Sequence, residues 1–131
     1  MKVLVIVNSS PWGGSLGATG LRLVRAMLEG GSQPGPQHGP QQGGASGLHV
    51  AAVFFRGEGV YQALAGRVSD SGTPALRDAW LELTRQYGLP LLLCSAAAQR
   101  QLEACPRGGF REAGLAEVLD LMDGCDRVVT F

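Results

Sequence analysis

The sequence predicts an α/β fold of three layers, in which a mostly parallel sheet lies between two layers of helices. Short apolar runs of strand length alternate with longer stretches whose apolar residues recur every three or four positions. The strand-length runs are continuously apolar, which is typical of strands covered on both faces. The 131 residues fit one domain, 1–131, that can bury a hydrophobic core without disulfides or metals.

The first strand is predicted over residues 2–7, a β-branched run that we expect at the centre of the sheet. A Ser- and Gly-rich segment then leads into a helix over about residues 17–29. Glycines at residues 13–20 suggest a phosphate-binding loop, but the Walker lysine and the G-x-G-x-x-G spacing are missing. An ordinary turn is therefore favoured over a nucleotide or flavin site.

A polar loop is predicted over residues 30–47, which are almost entirely Gly, Pro, Gln and Ser. Such a segment cannot bury enough apolar area to offset the entropy of ordering it, so we expect a flexible surface loop. His38 has no second ligand close to it in this segment. It is therefore expected to be a solvated loop residue and not a metal ligand.

A second strand is predicted over residues 48–55, and residues 56–61 turn away from its carboxyl end. His49 is expected to be a strand-edge residue, which is a commoner role than general base for a histidine outside a recognisable site. Glu58 in the turn is expected to be a solvated carboxylate, with the alternative that it orients a partner. If the sheet is parallel, this turn lies on the same side of the sheet as the carboxyl end of the next strand.

The later elements follow from capping and periodicity. Thr73 is a suitable N-cap for a helix over residues 74–87, which begins with proline. A last helix over residues 114–122 carries leucines at helical spacing, and residues 126–131 form a final strand. Cys125, at the entry to that strand, is expected in the core.

The segment 89–100 changes at Cys94 from a short apolar run into a small-residue, helix-forming run. Ligands of open α/β sheets collect at the carboxyl ends of the strands, and N–H groups at a helix start stabilise a thiolate. Ser95 and Ala96 supply such N–H groups, and Arg100 is a more distant positive charge. Cys94 is therefore the candidate nucleophile. The alternative is a buried cysteine that fills a gap at the strand end.

Charge and cysteine usage exclude several classes of protein. Lys plus Arg and Asp plus Glu both number 11, so no overall basic field attracts nucleic acid or an anionic membrane. The three cysteines Cys94, Cys105 and Cys125 form no C-x-x-C pair, which disfavours a disulfide framework and a zinc site. We find no signal peptide and no apolar stretch that could span a bilayer. We expect a cytoplasmic protein with reduced thiols.

Blocks along nearly the whole chain carry a family resemblance. They are Val53-Phe54-Phe55 with Glu58-Gly59-Val60-Tyr61, the Trp80 helix ending in Gln86-Tyr87-Gly88, residues 94–100 (Cys-Ser-Ala-Ala-Ala-Gln-Arg), Gly114-Leu115, and residues 125–131 (Cys-Asp-Arg-Val-Val-Thr-Phe). In order and spacing they resemble the DsrE/TusD family of sulfurtransferase subunits. The resemblance implies a DsrE-like α/β/α fold with a mostly parallel sheet.

The resemblance also implies a function. Cys94 would carry sulfane sulfur as a persulfide in a protein-to-protein relay, with no metal or organic cofactor. It would act in a hetero-oligomer with sister DsrE-like subunits and with upstream and downstream sulfur carriers. We expect the subunit contacts on apolar surface near Phe54, Phe55 and Tyr61. The relay could serve tRNA 2-thiouridine synthesis or dissimilatory sulfur oxidation. The alternatives are a noncatalytic assembly subunit and a flavodoxin-like nucleotide binder using residues 13–20.

The chain departs from the family pattern around the candidate site. Arg56 stands where the family tends to have an aromatic residue, and residues 62–64 replace an Asn-rich continuation. Residues 101–102 are Gln-Leu where Arg and Gly are common. We expect these changes to alter partner contacts and the rim near Cys94. Cys105 is expected to be an ordinary loop thiol, with the alternative that it resolves a Cys94 disulfide.

Overall fold

The computed structural model describes residues 1–12, 15–31, 47–64, 76–102 and 108–131. The strands are β1 (Lys2–Val7), β2 (His49–Phe55), β3 (Leu91–Cys94), β4 (Phe110–Ala113) and β5 (Arg127–Thr130). The helices are α1 (Leu16–Gly30), α2 (Leu76–Tyr87), α3 (Ser95–Gln101) and α4 (Leu115–Asp123), with a 3₁₀ helix at Gly57–Ala63. The strands form one sheet in the order β4-β3-β2-β1-β5, and every described pair is parallel.

The two faces of the sheet are covered unequally. The larger core joins one face to α1, α2 and α3, and its strand residues include Val3, Val5, Val7, Val53, Phe55, Leu91 and Leu93. On the other face, Leu4, Ile6, Ala52, Phe54 and Leu92 form a smaller core with Ala113 and with Val118 of α4. The predicted three-layer α/β/α fold is confirmed. Among the described elements, α4 alone forms the second helical layer.

Two strands differ from the sequence predictions. β2 lies in the middle of the sheet, so the expectation that β1 is the central strand is wrong. Both strands are buried on both faces, and burial alone does not reveal which one lies in the middle. β4 was not predicted, because the edge strand Phe110–Ala113 places the polar residues Arg111 and Glu112 between two buried ones and shows no apolar run.

Helix α2 buries Leu76, Trp80, Leu83 and Tyr87, which recur at helical spacing. The chain leaves this helix through Gly88, whose φ of +69° favours glycine. The predicted cap Thr73 lies outside the described residues, as do His38 and all but the ends of the 30–47 loop. In the described part of the chain, no helix has the length and apolar character needed to cross a membrane.

Two glycines of the Gly-rich segment 13–20 lie inside α1 and allow it to pack closely. A Cβ atom on Gly17 would lie 2.9 Å from Nε2 of Gln62, and one on Gly20 would lie 3.1 Å from the ring of Phe131. These glycines therefore have a packing role that needs no bound phosphate. Residues 13 and 14 lie outside the described residues.

A buried glutamine links three segments of the larger core. Gln62 is 1% exposed and accepts a hydrogen bond at its Oε1 from Trp80 Nε1 over 2.7 Å. Its Nε2 donates to the carbonyl of Ser9 over 2.9 Å. The indole of Trp80 also packs edge-on against Phe55, with ring centroids 5.3 Å apart. The loop after β1, the 3₁₀ helix and α2 are thereby joined through one amide.

We predict that Trp80→Phe and Gln62→Leu each lower the free energy of unfolding by about 1–3 kcal/mol, because each leaves a buried polar group unpaired. In the double variant, the loss of unfolding free energy should be smaller than the sum of the two single losses by about 1 kcal/mol or more, since both partners are removed. Urea denaturation of the wild type, the two single variants and the double variant measures the coupling free energy between the two side chains. Strictly additive losses would contradict a stabilising hydrogen bond between these side chains.

Candidate active site

A cavity of about 310 Å³ lies at the carboxyl ends of the strands, on the face covered by α4. Its lining residues are Ile6, Phe54, Arg56, Cys94, Ser95, Ala96, Leu115, Val118 and Met122. Ile6 and Phe54 belong to the sheet, and the last three residues are one side of α4. The cavity is therefore a largely apolar space between the sheet and its one-helix layer.

Cys94 lies where the sequence predicted it, at the turn from strand to helix. It is the last residue of β3 and the N-cap of α3, and its free thiol is partly buried. Side chains alternate along a strand, so Leu93 enters the larger core while Leu92 enters the smaller one. Cys94 shares the side of Leu92, which places it in the cavity.

Arg56 lines the same cavity as Cys94. The register of β2 against β3 pairs Phe54 with Leu92 and Phe55 with Leu93, where the pairing ends, and Arg56 and Cys94 are the residues that follow these last partners. By the same alternation Arg56 shares the face of Phe54. Both Arg56 and Cys94 line the cavity, so the backbone pattern and the side-chain positions agree.

The backbone around Arg56 is held in place from several directions. The N–H of Arg56 donates to the carbonyl of Val7 over 3.0 Å, and its own carbonyl accepts from Gly59 N–H over 2.9 Å. A Cβ atom on Gly59 would clash with the carbonyl oxygen of Val7, so only glycine permits this approach. From the other side, Gln101 Nε2 of α3 donates to the carbonyl of Gly57 over 3.1 Å. These hydrogen bonds hold this part of the cavity rim against β1 and α3.

The other charged candidates from the sequence do not line the cavity. Glu58 is exposed in the first turn of the 3₁₀ helix, as expected for a solvated carboxylate, and Arg100 is exposed on α3. His49 is the first residue of β2. It therefore lies at the amino ends of the strands, opposite the cavity, which agrees with its predicted place at the end of a strand. Burial, and then the positive charges of Lys2 and the N-terminus, lower the pKa of His49. Ser95 and Ala96 do line the cavity.

The remaining cysteines are separated from this site. Cys125 lies before β5, at the amino-end edge of the sheet, and packs partly buried against the smaller core. Burial raises the pKa of its thiol, which makes its thiolate scarcer. Cys105 lies outside the described residues. Within the described ranges, no cluster of three or more His, Cys, Asp or Glu side chains could hold a metal ion.

The exposed apolar surface near Phe54 is supplied by α4 and not by the phenylalanine rings. Phe55 is fully buried and Phe54 is 6% exposed, so neither ring itself supplies the contact surface expected near Phe54, Phe55 and Tyr61. The two rings point to opposite faces of a strand that is covered on both sides. Tyr61 is partly buried, with its ring centroid 5.2 Å from that of Trp12. The exposed apolar side chains of α4 are Leu115 (73%), Leu119 (53%) and Met122 (37%).

The fold and the cavity define an open parallel α/β protein with a free thiol at the strand ends. Within that class, the chain belongs to the DsrE/DsrF-like family, whose model matches residues 1–131. The crystal structure of the YchN protein from E. coli has the same fold, with a TM-score of 0.77 at 23% identity. The match covers 99% of this chain and 98% of that one.

Full-length relatives carry a more specific name. The sulfurtransferase TusD of Salmonella paratyphi B is 32% identical to this chain over 144 residues, with 100% of both chains covered. The sulfurtransferase TusD of Salmonella newport is 29% identical at the same coverage. The resemblance found in the sequence blocks is confirmed by these matches.

Proposed function

We propose that the chain is a sulfurtransferase subunit of one domain, 1–131, that carries sulfane sulfur as a persulfide on Cys94. The observation that carries this proposal is the partly exposed thiol of Cys94 in a cavity at the strand ends. The full-length likeness to sulfurtransferases named TusD supports the activity. The position of Cys125 and the raised pKa of its thiol make it the weaker candidate.

The transfer consists of two thiol exchange steps. The Cys94 thiolate attacks the outer sulfur of a donor persulfide, R–S–SH, to form Cys94–S–SH, and the donor's inner sulfur leaves as a thiolate. An acceptor thiolate then attacks the outer sulfur on Cys94, takes that sulfur and releases the Cys94 thiolate. The sulfane sulfur keeps its oxidation state throughout, so neither step needs an oxidant or a reductant.

The cavity suits a group that is one sulfur atom longer than a thiol. A sulfur–sulfur bond is about 2 Å long, so the outer sulfur extends from Cys94 into the space beneath α4. Apolar side chains from the sheet and from α4 line that space. The cavity is open at its edge, where the cysteine of a partner could reach the outer sulfur.

We predict that a persulfide donor adds one sulfur atom, about 32 mass units, to Cys94. Peptide mass spectrometry locates the added mass in the wild type and in Cys94→Ser, Cys105→Ser and Cys125→Ser. Cys94→Ser should abolish loading and onward transfer, because a hydroxyl at this position cannot form the persulfide. The other two variants are matched controls and should load normally.

Two outcomes would contradict this assignment. One is normal loading and transfer by Cys94→Ser, and the other is added mass found on Cys105 or Cys125 in the wild type. Thermal unfolding of Cys94→Ser separates a loss of chemistry from a loss of fold, since serine is nearly isosteric with cysteine.

We further propose that a sister DsrE-like subunit docks on the exposed side of α4. The α4 surface, defined by Leu115, Leu119 and Met122, is exposed, and contiguous apolar surface of this kind marks interaction sites. Leu115 and Met122 also line the cavity, so the α4 surface continues into the site. A subunit on this surface would complete the wall of the cavity, and the sulfur carriers would enter beside it.

We predict that Leu119→Glu weakens the association with sister subunits at least tenfold, because it places a charge in an apolar interface. Leu23→Glu is the matched control, since Leu23 is an exposed leucine on α1 (42%). Light scattering of each variant, alone and mixed with DsrE-like proteins of the same organism, measures complex formation. Wild-type association of Leu119→Glu would show that α4 is not the interface.

Reduced thiols are typical of cytoplasmic proteins, so the proposed relay lies in the cytoplasm. This relay would serve either tRNA 2-thiouridine synthesis or dissimilatory sulfur oxidation. A noncatalytic assembly role is less favoured, because the chain keeps a partly exposed thiol in a cavity. A flavodoxin-like nucleotide site is less favoured too, since Gly17 and Gly20 pack α1 closely against Gln62 and Phe131.

A further inference from the structure

The cavity around Cys94 contains one charged side chain among its described lining residues, and that side chain is Arg56. A sulfur anion in an apolar cavity is unstable unless a positive charge or hydrogen-bond donors face it. Arg100, the charge that the sequence suggested, does not line this space. Arg56 is therefore placed to meet the charge that the proposed chemistry creates.

We infer that Arg56 is a positioning residue whose guanidinium faces the sulfur anion of Cys94, first as the thiolate and then as the ionised persulfide. This inference rests on the proposed function and assigns a further residue to the same site.

The geometry supports the pairing. The last paired residues of β2 and β3 are Phe55 and Leu93, so Arg56 and Cys94 each follow one of two paired residues on neighbouring strands, which lie about 4.8 Å apart. Alternation along each strand places both side chains on the α4 face. The backbone of Arg56 is fixed by its hydrogen bonds to Val7 and Gly59, so the Cα atom from which the side chain extends has a defined position.

The guanidinium is available for this role. In the ranges that the structure describes, the salt bridges pair Arg77 with Asp78, Arg85 with Glu82, and Arg111 with Glu117. None of these pairs includes Arg56, which is exposed and has no protein acceptor in those ranges. An arginine head group keeps its charge at all working pH values and is weakly hydrated, which suits an anion at the edge of an apolar cavity.

The charge acts at the same point in both transfer steps. Each step brings a second sulfur species, the donor persulfide or the acceptor thiolate, toward a site where negative charge accumulates. A positive guanidinium beside the reacting sulfur offsets the repulsion between the two. Without it, Cys94 could still be loaded, but an anionic partner would react more slowly.

The test compares a negatively charged and a neutral alkylating reagent on full-length protein. Iodoacetate and iodoacetamide both react with the thiolate, so the ratio of their rates at Cys94 cancels the thiolate fraction and reports the local potential. Peptide mass spectrometry follows Cys94 alone. Arg56→Gln should lower the iodoacetate-to-iodoacetamide ratio roughly threefold or more, and this difference should shrink at 1 M salt.

Two variants accompany Arg56→Gln. Arg56→Lys should keep most of the ratio, because the positive charge remains. Arg127→Gln is the matched control, since it removes the same charge from an exposed arginine at the amino end of β5, the opposite edge of the sheet. Its ratio should equal that of the wild type. Thermal unfolding should be unchanged in all three variants, because the side chains are exposed.

The outcomes separate this inference from the proposed function. A wild-type ratio in Arg56→Gln, or an equal fall in Arg127→Gln, would overturn the role of Arg56 even if Cys94 loads sulfur normally. Absence of sulfur on Cys94 in the wild type would overturn the proposed relay. The alkylation ratio would then still decide whether Arg56 faces the sulfur.

Discussion

The buried amide of Gln62 is the constraint on which the arrangement at the strand ends depends. It accepts from Trp80 and donates to the carbonyl of Ser9, so it fixes the 3₁₀ helix against α2 and the loop after β1. At the start of the 3₁₀ helix, Gly59 packs against the carbonyl of Val7 and its N–H donates to the carbonyl of Arg56. The helix that Gln62 anchors in the larger core therefore also holds the backbone of Arg56, which lines the cavity on the other face.

The two faces of the sheet are packed differently. The larger core is filled from α1 and α2 and contains the aromatic contacts of Trp80 with Phe55. The smaller face has one helix, α4, whose outer residues remain exposed. This thin layer leaves room for a cavity beside Cys94 and leaves apolar side chains of α4 exposed. Cys94, the last residue of β3, and Arg56, which follows β2, both line the cavity on this thinner side.

The sequence predicted the fold class, the helix and strand order apart from β4, and the place of Cys94, because these follow from periodicity and from the strand-end rule. It missed β4 because Arg111 and Glu112 interrupt the apolar pattern of an edge strand. It predicted an apolar contact surface near Phe54, Phe55 and Tyr61, but it could not show that both phenylalanine rings are buried, because a family block shows which residues recur and not which way they face. The sequence indicated Arg56 only as a departure from the family pattern near the rim of the site. Its place beside Cys94 depends on the β2–β3 register, which the sequence does not specify.

A crystal structure of the persulfide-loaded protein is the most direct test of this account. It would locate the outer sulfur relative to the cavity and to the guanidinium of Arg56. We predict a persulfide on Cys94 that points into the cavity, with its outer sulfur within about 4 Å of the guanidinium. An outer sulfur directed into solvent away from Arg56, or a persulfide on another cysteine, would contradict it.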